Sequence, residues 1–190
     1  MNKMVKYSLI MIIVGGIVSI LLAFVNLLTA PVIKNNKLKK VESLLNEINS
    51  NDEWIIGNEL VNASNNEYID DVFVCIEEDN NILFVCYLIT TKGYSNGNIE
   101  TLVFINENNT IEKVKIINIE GQTKGVGSLI VDDTNYVKVY EGVKINKYIN
   151  DNVSNHNSDS IDVISGATIS SKAVIQAVII ACNNYNEFKR

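Results

Sequence analysis

Residues 162–168 read Asp-Val-Ile-Ser-Gly-Ala-Thr, and the next ten are Ile-Ser-Ser-Lys-Ala-Val-Ile-Gln-Ala-Val. Thr168 supplies a hydroxyl. Ser165, Gly166 and Ala167 before it are small enough to let a bulky group approach the backbone. The apolar positions that follow recur at helical spacing, so the hydroxyl stands on a turn just before a helix. The first turn of a helix has N–H groups without intrahelical partners and the positive end of the dipole, which together seat a phosphate. Lys172 falls in that first turn, where a cation works against the dipole unless an anion is close. A phosphate at Thr168 would be such an anion; a solvated lysine is the alternative. For the stretch as a whole the alternative is an ordinary helix start with a Gly-Ala turn.

Two glycine-bearing connections are further candidates. Lys92-Gly93-Tyr94-Ser95-Asn96-Gly97-Asn98 joins two strand-like runs, and Tyr94 could approach a site there. Glu120-Gly121-Gln122-Thr123-Lys124-Gly125-Val126-Gly127-Ser128 follows the last strand-like run. Cys75 and Cys86 would lie directly opposite one another if Asn80-Asn81 were a two-residue hairpin turn. They then read either as a disulfide outside the cytoplasm or as two small buried hydrophobes. Cys182 reads as buried on the terminal helix. With His156 the only histidine, and three dispersed cysteines, no metal-ligand spacing appears. There is no nucleophile elbow, P-loop or dinucleotide fingerprint.

The elements that must position these residues follow from pattern. Residues 71–77 and 82–91 are rich in Val, Ile, Phe and Tyr and read as a hairpin; 99–105 and 111–119 form a second pair around 106–110. In the last strand Val114, Ile116 and Asn118 are expected on one face and Lys113, Lys115 and Ile117 on the other. Residues 150–160 are polar and read as an exposed loop. The segment 170–188 carries Ala173, Val174, Ala177, Val178, Ala181, Tyr185 and Phe188 at helical spacing, with Ser170 or Ser171 as its cap. The expected class is α+β: one N-terminal transmembrane helix, then one antiparallel-sheet domain with a C-terminal helix packed on the sheet.

From residue 7 to 28 no charged residue occurs, a run long enough to span a bilayer. A secretory signal has a shorter apolar region and a small-x-small cleavage site; here Leu-Thr-Ala-Pro follows, so the run reads as a retained anchor. Residues 32–48 place Leu38, Val41, Leu44, Leu45 and Ile48 at helical spacing, a continuation of the membrane helix with a bend allowed at Pro31. Lys3 and Lys6 precede the span, whereas Lys34, Lys37, Lys39 and Lys40 follow it, which by charge alone puts the C-terminal side in the cytoplasm. The remaining length suffices for one domain with a real core. A net charge of −6 and a pI near 4.8 argue against a nucleic-acid partner.

The 162–168 stretch resembles the flavinylation motif Asp-x-x-(Ser/Thr)-Gly-Ala-Thr, with every fixed position matched. In that family a flavin transferase links the phosphate of FMN to the final threonine, here Thr168, and recognises the Asp, here Asp162. The 92–99 turn is similar to the family's Lys-Gly-Tyr-Gly-Gly-x-Ile, with Ser-Asn in place of a glycine and one residue more. Residues 122–127 resemble Glu-Thr-Pro-Gly-Leu-Gly, which lies by the isoalloxazine ring. Thr123, Gly125 and Gly127 match, while Gln122, Lys124 and Val126 replace Glu, Pro and Leu. A cation at Lys124 beside the ring would favour anionic reduced flavin and raise its potential.

The resemblance covers nearly the whole chain and is to the RnfG family, the flavin-bearing component of the Rnf ion-translocating ferredoxin:NAD oxidoreductase complex. The corresponding flavin-bearing component of the sodium-translocating NADH:quinone reductase is related. The resemblance implies a single-pass protein of the cell membrane, with residues 1–30 as anchor, 31–50 as juxtamembrane helix and 51–190 as FMN-binding domain. The implied domain is extracytoplasmic, against the charge count, because a large C-terminal domain can translocate despite flanking charge. One covalent FMN would pass electrons between redox centres of the complex's other membrane subunits, with no independent substrate turnover. Two other classes stay open: a free-standing anchored FMN-domain protein of extracytoplasmic electron transfer, and a non-redox anchored binding domain.

Overall fold

A computed structural model describes residues 3–50, 53–61, 63, 66–77, 79, 81–133, 135–157 and 159–189. The chain divides into two compact units, Met1–Ile48 and Asn49–Arg190.

The first unit is a single helix, α1 (Lys3–Ile48), which runs through Pro31. Its stretch Tyr7–Ile48 reaches a mean hydropathy of 2.8 and is long and apolar enough to cross a membrane. Leu9 to Leu28 present exposed apolar side chains. In water such a surface would be costly; against lipid it is matched.

The second unit is an α+β domain. Its sheet is an antiparallel meander in the order β1-β2-β3-β4-β5: Glu53–Ile56, Ile69–Ile76, Ile82–Lys92, Asn98–Asn106 and Thr110–Ile119. β2 to β5 fall where the Val/Ile/Phe-rich runs predict them. β1 has no counterpart in the sequence reading, being only four residues long. Alternation puts Val72, Val74, Val85, Tyr87, Ile89, Val103, Ile105 and Val114 into the main core.

α3 (Thr168–Phe188) lies on this face, mainly across β3 and β4. Ala173, Ala177 and Ala181 recur every fourth residue and are all buried, so their small side chains let the helix come close to the strands. Thr91 Oγ1 donates to the Ala173 carbonyl at 2.9 Å from within this layer. Each fully buried Val or Ile contributes roughly 1.5–3 kcal/mol, so the start of α3 is anchored by a substantial core.

The opposite face carries Phe73, Cys75, Cys86, Leu88, Leu102 and Phe104, all buried. There Trp54 of β1 stacks on Phe84 (6.4 Å) and meets Phe104 edge-on (6.2 Å). Between β5 and α3 the chain winds through α2 (Leu129–Asp132) and short 3-10 turns at Tyr136–Tyr140, Ile145–Lys147 and Val153–Asn155. Backbone bonds from Ile111 N to the Val143 carbonyl and from Gly142 N to the Ile111 carbonyl, each 2.9 Å, bring this segment to the start of β5.

Two expectations of register are corrected. Cys75 pairs with Phe84, and Cys86 with Phe73, so the cysteines are not opposite one another, and all three cysteines are buried. Glu77 N donates to the Asn81 carbonyl at 2.9 Å, so Asn81 already bonds across the hairpin instead of forming its tip; Asn80 lies outside the described residues. In β5, Glu100 pairs with Asn118 but Thr101 with Ile116. The extra residue, Ile117, is a bulge that reverses the alternation. Asn118 is therefore exposed and Ile119 packs against the core in its place.

Candidate functional site

The 162–168 stretch folds as a tight turn that feeds α3. Gly166 has φ +84°, which a side chain would strain. Ala167 N donates to the Ile164 carbonyl at 3.0 Å, and Ser171 N to the Ala167 carbonyl at 2.9 Å, the first bond of the helix. Thr168 is thus the first helical residue instead of the last before the helix. No side chain caps this start. The expectation that Ser170 or Ser171 caps it is corrected, because both lie inside the first turn and reach other segments. Ser170 Oγ donates to Gln122 Oε1 at 2.7 Å, and Ser171 Oγ accepts from Ile164 N at 3.1 Å. The N–H groups of Thr168, Ile169 and Ser170 therefore have no side-chain cap.

Gln122 joins the three candidate segments. Its Oε1 also accepts from Tyr94 N at 3.2 Å, and its Nε2 donates to the Tyr94 carbonyl at 3.3 Å. A carboxylate could not do both, since it only accepts when ionised. Gly97 lets the two connections touch: a Cβ there would stand 2.2 Å from the Glu120 carbonyl oxygen. The 123–128 loop is braced by Ser128, whose hydroxyl accepts from Gly125 N at 2.9 Å and donates to Asp132 at 2.7 Å.

Between these segments lies a surface cavity of about 220 Å³, lined by Tyr94, Val126, Gly127, Gly166, Ala167, Thr168, Ile169 and Ser170. Tyr94, Val126 and Ile169 are each about half exposed (50%, 48% and 53%) and form an apolar rim. Of the residues singled out from sequence, the fold brings Val126, Gly127, Gly166, Ala167 and Thr168 to this cavity. Ser165, Thr123, Lys124 and Gly125 are exposed nearby but do not line it. Lys172 follows Thr168 by four residues, on the same helix face, half-buried and outside the lining.

Asp162 does not reach the cavity either. It is buried, and its Oδ2 lies 2.9 Å from His156 Nδ1; His156 Nε2 in turn lies 2.9 Å from Asp151 Oδ2. His156 is only 8% exposed, which corrects the reading of 150–160 as wholly exposed. Hydrogen bonds from Asn155, His156 and the Asn152 N–H hold the Asp151 carboxyl below its ordinary range. Desolvation lowers the His156 value, but the hydrogen bonds and charges of Asp151 and Asp162 outweigh it and the net shift is upward.

The arrangement suits a phosphorylated ligand with a flat apolar body. An uncapped helix start would take the phosphate, and Tyr94, Val126 and Ile169 offer an apolar wall. Gln122, Ser170 and Ile169 carry no local signature of such a role. Gln122 acts across 28 and 48 positions of sequence, so only the fold reveals it.

Together these features define a protein with one membrane-type helix and an α+β domain bearing a ligand cavity at a helix start. Comparison with known families gives two matches: residues 1–48 match the RnfG N-terminal region, and residues 93–183 match the FMN-binding domain. No curated protein matches the chain. The two matches leave out only 49–92 and 184–190, and the chain belongs to the RnfG family, membrane-anchored FMN electron-transfer subunits that assemble with other Rnf subunits.

Proposed function

We propose that Thr168 carries FMN through a phosphoester, and that the domain passes electrons between other redox centres of an Rnf complex on the extracytoplasmic side. The supporting observation is the cavity at the start of α3, where Thr168 meets Val126–Gly127 and Tyr94. In this reading residues 1–30 anchor the protein, 31–50 form the juxtamembrane helix, and 51–190 make the FMN-binding domain. FMN supplies the reversible electron chemistry when bound, while the protein orients it and tunes its surroundings. The first-turn N–H groups of α3 would hold the phosphate, and the apolar Tyr94, Val126 and Ile169 side chains at the cavity would shield the flavin from water. Attachment removes a dissociation equilibrium that would lose flavin outside the cell.

Attachment forms a bond from Thr168 Oγ to phosphorus and breaks the bond from phosphorus to its leaving group. An unactivated phosphate monoester has no good leaving group, so the donor is an anhydride such as a flavin dinucleotide, from which AMP departs. The hydroxyl proton passes to a base of the flavin transferase, and no electrons change hands.

Protein made together with its flavin transferase should gain the mass of one FMN less one water and fluoresce in a denaturing gel. Thr168→Val should abolish both while the circular dichroism stays unchanged. Persistent covalent flavin in that variant overturns the assignment. Protease treatment of spheroplasts tests the sidedness, which requires the domain to be cleaved from outside.

A further inference from the structure

We propose that His156, as an imidazolium clamped between Asp151 and Asp162, is a positioning residue for flavin attachment. This rests on the reading of Thr168 as the attachment site. A neutral imidazole has one donor nitrogen and one acceptor nitrogen. Both ring nitrogens of His156 face carboxylate oxygens at 2.9 Å, so the bridge is complete only when both carry protons. The Asp162 and His156 side chains are almost sealed from solvent, at 4% and 11% exposure. A buried carboxylate without a partner is costly, so His156 fixes where Asp162 sits.

From there the path to Thr168 is short. Val163 is buried, Ile164 N is bonded to Ser171 Oγ of α3, and the Ile164 carbonyl accepts from Ala167 N. Holding Asp162 therefore holds the entry to the turn that presents the threonine. The Tyr148 ring lies nearly parallel to the imidazole, 6.4 Å away between centroids.

The other titratable groups around this bridge stay neutral across the working range. Burial raises the Tyr148 and Tyr140 phenols and pushes Tyr136 up to about 12. On α3, burial pushes the Cys182 thiol up to about 12. The pH response of the bridge therefore belongs to His156. Asp151, which also accepts from Asn155 Nδ2 at 2.8 Å, is the partner more easily released when the ring loses its proton.

The chain has one histidine, so its imidazole resonances can be followed by NMR without assignment ambiguity. The titration midpoint should lie above the ordinary value of about 6.5. Initial rates of flavin transfer onto the purified full-length protein, with its transferase and FAD, should then be compared between variants at each pH. Taking the ratio to the parent at each pH cancels the transferase's own pH dependence. His156→Gln should load about tenfold more slowly than the parent at low pH, the scale of one lost charge-assisted hydrogen bond, with the ratio approaching one at high pH.

Asp151→Asn can donate its amide to Nε2 and so complete the bridge to a neutral ring. Its rate relative to the parent should rise several-fold as pH passes through the His156 midpoint. A midpoint at or below the ordinary value overturns the inference, as does a folded His156→Gln with the parent's rates. Should His156→Gln not fold, a pH-independent ratio for Asp151→Asn overturns it instead. Covalent labelling of Thr168→Val would sink the attachment reading itself, whereas a dark Thr168→Val beside a His156→Gln that loads at the parent's initial rate at every pH sinks only the role of His156.

Discussion

The two ends of the domain's sheet are built from similar turn residues and do different things. At one end the β4–β5 turn is held by its own Asn106 side chain and by the following segment, where Lys144 Nζ donates to the Asn108 carbonyl at 2.8 Å and Ile145 N to the Asn109 carbonyl at 3.0 Å. Asn106 Oδ1 accepts from Asn108 N and Thr110 N, both at 3.1 Å, and Asn109 adopts φ 57°. Tyr185, near the end of α3, donates to the Asn106 carbonyl at 3.0 Å. At the other end the β3–β4 turn has Tyr94 bonded through both its N–H and carbonyl to Gln122, which also holds Ser170. The bonds of the β4–β5 turn pin it to Tyr185 and to residues 144–145, none of which lines the cavity. The Gln122 bonds fix the separation of three chain segments, and the cavity lies among them.

The largest test of this contrast is Gln122→Ala. It leaves the buried Ser170 hydroxyl without its partner, which costs about 1–3 kcal/mol, while the exposed Tyr94 N can turn to water. Urea unfolding of the domain should show a loss of roughly 2 kcal/mol, and flavin loading should slow as the three segments separate. At the other end Tyr185→Phe removes one bond, while the Asn106 carbonyl keeps the bond from Asn109 N. The expected loss is about 1 kcal/mol with loading unchanged. Equal effects of the two variants on loading would mean that the ends are not functionally distinct.

This difference between the ends is also the boundary of what the sequence discloses. β2 to β5 were legible because each is a run rich in Val, Ile, Phe and Tyr and Asn- or Gly-rich turns separate them. The Asp162–Thr168 turn was legible because small residues precede an apolar helical pattern. Ile117 was misread because a bulge adds a residue without changing composition. The 129–155 segment was opaque: its tyrosines are buried by short 3-10 turns with no sustained period. Gln122 and His156 could not be ranked from sequence, since the partners that give them meaning come together only on folding. His156 sits in a polar run whose composition suggests solvent, yet its ring nitrogens are buried against two carboxylates.

Lys124 is where the smallest effect is expected, and it sharpens the contrast from within the cavity end. It replaces a proline of the resembling motif, and a cation close to a reduced flavin would stabilise the negative charge gained on reduction. In the fold, however, Lys124 is exposed and outside the cavity lining, while its neighbours Val126 and Gly127 face the cavity. Exposed charge pairs contribute at most about 1 kcal/mol, equivalent to about 20 mV for a two-electron couple. Salt reduces this further, because the screening length shrinks to about 8 Å at physiological ionic strength. Lys124→Ala should therefore lower the flavin midpoint by less than about 20 mV, and the difference should fade as salt is raised. A redox titration of parent and variant at low and high salt measures this directly. A larger shift that persists in high salt would mean that the 123–128 loop closes over the ring and buries the lysine. The braced, open arrangement held by Ser128 would then not be the one that operates when flavin is bound.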